Sequence, residues 1–354
     1  MPNILHANGT IGLKPIDEGN HHHIYIISVL GSPLYVARAS KEPTGGALDT
    51  DSFGVPRSLE REVSSLELFS SLGAPHIHSI HREGYPFSLV ELIRGYPWAV
   101  SQQNAGYSLE HYLRTMRTFG ESLAGIHGMQ FDKYGSIGQG GQVVEGEDGF
   151  YPKIEKIYRT RSEFAQKKNG EHGGRIFTED ELRKIDSYFG SLIGGLEQLL
   201  TQYQGKPVLV IDDLHPMQIM VSEDGQIKYP DLEICLAAHP AMDMYWVRKE
   251  FFTWHDETAY HRAEQAFFEG YMGAGGNYSP DNELNKKLEQ FLFAVSLLSQ
   301  VAGYYGEKGF RSDWSSQLKA ILMNIVNNNF SGIDDFIRYG NVIRSKTRQP
   351  VAPR

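Results

Sequence analysis

Three side chains, in a fixed order, have the chemistry needed to move a phosphoryl group. An apolar run from Val208 to Ile211 reads as a buried strand, and Asp213 emerges just after it, ahead of a second short apolar run, Ile219 to Val221. A further strand ends at Asp231. Kinase-type sites need a loop Asp to hold the acceptor hydroxyl, an amide or carboxylate a few residues on for the metal, and a second Asp to bridge magnesium to the nucleotide phosphates. Asp213, Gln218 and Asp231 supply these in that order. A single loop Asp more often caps a turn. The ordered set of strand, Asp213, Pro216, strand, Asp231, Glu233 and Asp243 is much harder to obtain by chance.

These residues resemble the aminoglycoside phosphotransferase and choline kinase-like family, whose catalytic loop runs His-Gly-Asp-Leu-His-Pro-Gly-Asn and whose metal motif runs Asp-Phe-Glu. Asp213 to Pro216 and Asp231 to Glu233 match it, while Ile211, Asp212, Met217 and Gln218 depart from it. Gln218 stands where the family has its metal-binding Asn, so the resemblance implies Gln218 and Asp231 as magnesium ligands with Glu233 in support. His239 to Met244 resembles the segment that closes the family's metal loop and opens the next helix, which gives Asp243 a structural role.

The elements that must position this chemistry follow from local pattern. Ile24 to Val29 and Leu34 to Ala39 are β-rich runs around Gly31 to Pro33, an antiparallel hairpin. The polar stretch before them places Gly19 and Asn20 where the family folds a loop over the nucleotide phosphates, since a small residue lets backbone amides approach an anion. His21 and His23 share one strand face without His22 and read as solvated or packed rather than metal-binding. Arg38 matches the family's strand-borne cation against the phosphates, and a guanidinium engages phosphate bidentately. Ser58 caps a helix to Leu72 on which Leu59, Val63, Leu66 and Phe69 recur at helical spacing. Glu62 on it resembles the glutamate that pairs with the cation, with Glu60 as the alternative. Phe87 to Gly95 reads as a strand ending at a glycine hinge, and the resemblance makes the backbone from Glu91 to Ile93 the reader of the nucleotide base.

Beyond the hinge the pattern turns helical. Ser108 to His127 carries an apolar face, and Thr178 to Glu181 is a capping box for a helix whose core positions run from Leu182 to Leu199. Gly138 to Arg175 is polar and glycine-rich and reads as irregular. Met244 to Gly273 interleaves aromatic and acidic residues, with the rings in the core and the acids on a solvated face. Leu284 to Tyr304 and Ser312 to Ile337 read as closing helices, and Ser345 to Arg354 as a disordered tail.

Composition excludes little but is consistent. A chain of 354 residues can bury a substantial core, and a net charge of -9 argues against broad nucleic-acid binding while permitting cationic or neutral small substrates. No run is long and apolar enough for a membrane span, and the first residues lack a basic-then-apolar signal pattern, so a cytoplasmic protein is expected. The one cysteine, Cys235, fits a packed small residue in a reducing compartment.

The expected fold is α+β and bilobal, protein-kinase-like, with a β-rich nucleotide-binding lobe over residues 1–94 and a mainly helical lobe over 95–344. The expected activity is transfer of the γ-phosphate of ATP, or of GTP, with Mg2+, to a hydroxyl of an antibiotic, amino sugar or related metabolite. A nucleotide-binding pseudokinase and a kinase-fold interaction protein are the other readings.

Overall fold

The computed structural model describes residues 11–18, 22–40, 50–56, 58–81, 87–98, 108–216, 218–230, 232, 235–251, 257–306 and 310–327. Its first half is an antiparallel sheet of five strands in the order β1-β2-β3-β5-β4, formed by β1 (Ile11–Glu18), β2 (His22–Val29), β3 (Ser32–Ser40), β4 (Ile77–His81) and β5 (Phe87–Glu91). The β2–β3 hairpin is the expected one. Its turn is only Leu30 and Gly31, both at positive φ (52° and 82°), the geometry whose twist matches that of the flanking strands. Ser32 and Pro33 therefore belong to β3, and a bulge sits where Pro33 pairs with Ser28. The helix α1 (Leu59–Leu68) starts at Ser58, whose hydroxyl accepts from the Arg61 N–H, and ends earlier than Leu72.

Leu92 to Arg94 carry the chain out of this sheet. The next strand, β6 (Gly95–Pro97), pairs instead with β10 (Met220–Ser222), which also pairs with β11 (Ile227–Lys228). Gly95 sits at φ 153°, and a Cβ there would overlap the Val221 carbonyl oxygen, so the crossing requires glycine. The strand expected to end at Asp231 stops at Lys228.

The larger, helical part encloses a four-stranded antiparallel sheet, β8-β7-β12-β9, made of β7 (Tyr134–Ile137), β8 (Val143–Glu147), β9 (Val208–Ile211) and β12 (Cys235–Ala238). Every residue of β9 and β12 is buried, Cys235 included, as expected for strands covered on both faces. Around the sheet lie α2 (Leu109–His127), α3 (Tyr151–Glu171), α4 (Glu179–Gln202), α5 (Ala241–Trp246, continued by a π-helical turn to Phe251), α6 (Glu257–Gly273), α7 (Glu283–Tyr304) and α8 (Phe310–Val326). The Thr178 capping box on α4 forms with both reciprocal hydrogen bonds.

One expectation fails. The stretch from Gly138 to Arg175 is not irregular: it holds β8 and the 21-residue helix α3. Pro152 sits in the first turn of α3, where its missing N–H is harmless, and Ile154, Ile157 and Ala165 bury one stripe. Asn169 ends it by accepting from the N–H groups of Ile176 and Phe177 while donating to the Phe177 carbonyl. Charge on the remaining positions hides the stripe in the sequence.

Helices α2 and α6 pack with their backbones in close approach. A Cβ on Gly120 would overlap the Phe267 carbonyl oxygen, and one on Gly270 the Arg117 carbonyl. Gly120→Ala forces the helices apart and is expected to destabilise the fold by about 1–3 kcal/mol, the range for overpacked cores. Urea unfolding checks this, and a midpoint equal to wild type rejects the close packing.

Candidate active site

The site is built outward from a buried carboxylate. Asp243, on the first turn of α5, is fully inaccessible and accepts the Ile211 N–H on both oxygens, at 2.9 and 3.1 Å. His127, near the C-terminus of α2, meets the same carboxylate at 3.1 Å through Nε2, and its Nδ1 lies 2.8 Å from the Tyr271 hydroxyl of α6. With an Nε2–H aimed at Asp243, Nδ1 accepts from Tyr271. Burial pushes the Asp243 carboxyl up, and the His127 contact opposes that. The end of β9 is thereby fixed, and Asp212 and Asp213 leave it in a turn in which His215 N–H donates to the Asp213 carbonyl at 3.1 Å and Gln218 N–H to the His215 carbonyl at 2.9 Å.

The two adjacent aspartates have different surroundings. Asp213 is half-buried and lines a cleft. Asp212 is buried, and its Oδ2 accepts the Ser52 N–H at 2.7 Å, so a loop that precedes α1 is clasped to the Asp212–Asp213 turn. The Asp212 carbonyl accepts from Trp246 Nε1 at 3.3 Å. Desolvation pushes the Asp212 carboxyl up to about 6, with the nearby Asp51 charge adding to the rise and the Ser52 donation and Arg161 opposing it. Asp51 is held in turn by Arg61, at 2.6 Å, and accepts the N–H groups of Phe53 and Val55. The same guanidinium donates to the carbonyls of Val55, Pro56 and Ile137, which ties α1 and the clasping loop to the end of β7.

At the five-stranded sheet, Arg38 of β3 and Glu62 of α1 form a buried ion pair at 2.8 Å. Glu91 ends β5 with its N–H on the His76 carbonyl, and Leu92 N–H donates to the Leu34 carbonyl. Ile93 follows in the link to β6, and its N–H has no partner among the described residues. Gln218 lies on the same loop as Asp213, and its Oε1 is buried with no hydrogen-bond partner among the described residues. Such an atom has a lone pair for a hard cation. Gly19, Asn20, His21, Met217, Asp231, Glu233 and the side chain of Glu60 lie outside the described residues.

The cleft beside Asp213 has a volume of ≈ 190 Å³ and is walled by α3, α5 and α7, with Thr50 and Ser52 at its rim. Two of its residues were not among the sequence-based candidates. Arg161 belongs to the stretch read as irregular, and its position one turn after Ile157 marks the face that reaches the cleft. Ser52 belongs to a loop without periodicity, where nothing in the sequence points to Asp212.

The Asp212 environment makes a pH prediction. Its folded-state value of about 6 lies above the ordinary 3.8, so the folded chain keeps this proton longer than the unfolded one. The favourable contribution is full below about pH 4 and is lost as pH rises through about 6. Asp212→Asn cannot titrate, so its stability relative to wild type is expected to improve by about 2–4 kcal/mol between pH 4 and pH 7, at 1.36 kcal/mol per pKa unit. Chemical denaturation of both proteins at the two pH values measures this, and a constant difference refutes it.

No protein-family model and no curated protein matches the chain. Solved structures do. A thermostable mutant of aminoglycoside phosphotransferase APH(4)-Ia superposes with a TM-score of 0.55 over 91% of this chain and 97% of its own, at 14% identity. APH(2'')-IIa, in a ternary complex with streptomycin and ATP, matches with a TM-score of 0.53 over 87% of this chain and 91% of its own, at 11% identity. Macrolide 2'-phosphotransferase MphH from Brachybacterium faecium reaches a TM-score of 0.50 over 88% and 91%, at 15% identity. With its five-stranded sheet, Arg38–Glu62 pair and anchored Asp213 loop, the chain has the protein-kinase-like fold of the aminoglycoside phosphotransferases.

Proposed function

We propose that this protein transfers the γ-phosphoryl group of ATP to a hydroxyl of a small molecule, with magnesium. The observation that carries the reading is the Asp213 turn, held by a buried carboxylate and opened onto a cleft. The structural relatives support it through what they bind: APH(2'')-IIa holds streptomycin and ATP, and an APH(4)-Ia mutant holds AMP-PNP and hygromycin B.

The work assigned to this chain is mostly positioning, because phosphoryl transfer needs little covalent help from a protein. Asp213 accepts a hydrogen bond from the acceptor hydroxyl, aims its oxygen in line with the γ-phosphorus, and takes the proton as the new P–O bond forms and the bond to the ADP oxygen breaks. Arg38 neutralises the nucleotide phosphates, and Glu62 keeps the guanidinium in place at 2.8 Å. The backbone from Glu91 to Ile93 reads the base, and Gly19 and Asn20 belong to the segment assigned to the phosphates. Gln218 and Asp231, with Glu233 in support, would hold magnesium, and the unsatisfied Gln218 Oε1 fits that task. Magnesium there supplies charge neutralisation across the phosphates.

Release of ADP from Mg-ATP, made dependent on added hydroxylated compounds, is the direct test. Asp213→Asn is expected to lower acceptor-dependent turnover about 10²- to 10⁴-fold, the usual worth of a positioned base, while ADP affinity stays at the wild-type value. Undiminished turnover removes Asp213 from the role. Nucleotide binding without turnover over a broad acceptor panel favours the pseudokinase reading instead. Gln218→Ala is expected to raise the magnesium concentration for half-maximal rate by about tenfold or more, the scale seen when even an outer-sphere partner is lost. Gln218→Asn, which restores the family's residue, reports whether the loop backbone lies close enough for the shorter arm. A magnesium dependence unchanged in both variants excludes Gln218 as a ligand.

A further inference from the structure

The cleft beside Asp213 has an unusual charge distribution for an amine acceptor. Among the described residues, the carboxylates that line it are Asp212 and Asp213, both on the turn after β9. Asp212 Oδ2 accepts the Ser52 N–H while its Oδ1 is buried with no hydrogen-bond partner among the described residues, and Asp213 is reserved for the reacting hydroxyl. The opposite walls contribute Arg161 from α3, hydroxyls from Ser296 and Ser299, and the Gln300 amide of α7. Positions 296, 299 and 300 share one face of a helix, so these groups converge. Among the described residues Arg161 makes no hydrogen bond or salt bridge. A half-buried guanidinium has five N–H donors and a fixed charge that protonation changes cannot remove. With Asp213 directed at the reaction, the natural partner for that fork is an oxyanion on the acceptor itself, bound bidentately.

We propose that the acceptor is a hydroxylated acid, whose anionic group is clamped by Arg161 while its reacting hydroxyl meets Asp213. This rests on the phosphotransferase reading and narrows it. The amino sugar expected from the family resemblance would place an ammonium against Arg161 with no lining carboxylate among the described residues to offset it beyond the two on the turn. The net charge of -9, which permits cationic or neutral substrates, is a property of the whole chain, whereas the charged residue on the α3 and α7 walls among the described residues is Arg161. Size agrees: ≈ 190 Å³ is below the roughly 300–1,000 Å³ of drug-sized sites and suits a single sugar-sized ring or chain better than a multi-ring antibiotic.

Matched probes test this. Glucuronate, glucose and glucosamine, with gluconate and sorbitol as open-chain counterparts and glucose 6-phosphate as the phosphate counterpart, are titrated calorimetrically into the protein loaded with Mg-ADP. The same compounds are then assayed for phosphotransfer from Mg-ATP. The acids are expected to bind tighter than the neutral sugars, and the amine weakest. Arg161→Gln is expected to lose about ten- to a hundredfold in affinity for the acids, the scale of a hydrogen bond to a charged group, and much less for glucose. Arg161→Lys should retain part of the preference. Glucose 6-phosphate bound tighter than glucuronate assigns the anion as a phosphate rather than a carboxylate. Tighter binding of the amine, no binding of any acid, or an Arg161→Gln variant that binds acids as wild type overturns the proposal. So does an equal loss of turnover on every acceptor without a change in affinity, which would place Arg161 on the transferring phosphoryl group. Because the calorimetric order is read without turnover, it stands or falls separately from the phosphotransferase reading.

Discussion

The arrangement depends on Asp243 being buried as a carboxylate without being left alone. An ionised carboxylate in the interior is costly unless its lone pairs are filled. Here the Ile211 N–H and His127 fill them, and Tyr271 fixes the other side of the imidazole. Breaking any one of these contacts leaves a buried polar group without its partner, so the four elements that supply them, β9, α2, α5 and α6, cannot shift independently. The catalytic turn inherits that rigidity, since Ile211 is the residue before Asp212 and Asp213. His127 also lies in the last turn of α2, where the helix carbonyls favour a donor or a cation.

A second anchor sets the upper sheet against this frame. Successive residues on a helix point about 100° apart, so Arg61 and Glu62 of α1 serve two different neighbours. Glu62 faces β3 and holds Arg38, while Arg61 faces the loop before its own helix and the end of β7. Through Asp51 and Ser52 that loop reaches Asp212. A movement of α1 that displaced Arg38 would therefore also pull on the Asp212–Asp213 turn. The Arg38–Glu62 pair and the Asp213 turn are thus set by one helix rather than by separate supports.

What the sequence disclosed was whatever had a local signal. Ser58, Ser108 and Thr178 announce helices because a cap acts within three residues, and Val208 to Ile211 announces a strand because both its faces are buried. The motif residues came through the family resemblance, in order along the chain. Helix α3 stayed hidden because its buried stripe is short and includes Lys153, whose ammonium donates to the Glu145 carbonyl and lies 5.1 Å from the Phe53 ring centre. Losing α3 meant losing Arg161. Asp51 and Ser52 were silent for a different reason: their partners are set by the chain's path, and a loop without period carries no record of what it will touch.

The two aspartates of the turn show how environment divides labour between identical side chains. Asp212 is buried beneath Ser52 and the Trp246 indole, its carboxyl is pushed up to about 6, and its Oδ2 holds the loop through the Ser52 N–H. Asp213, one residue on, keeps access to the cleft. Adjacent residues leaving a strand point in opposite directions, so burying one exposes the other. Placing the buried carboxyl first, where the family has glycine, spends a close backbone approach on a hydrogen-bonded clasp to Ser52. In this turn the carboxyl that clasps the Ser52 loop serves as structure, and the one beside it faces the cleft on which the proposed proton transfer relies.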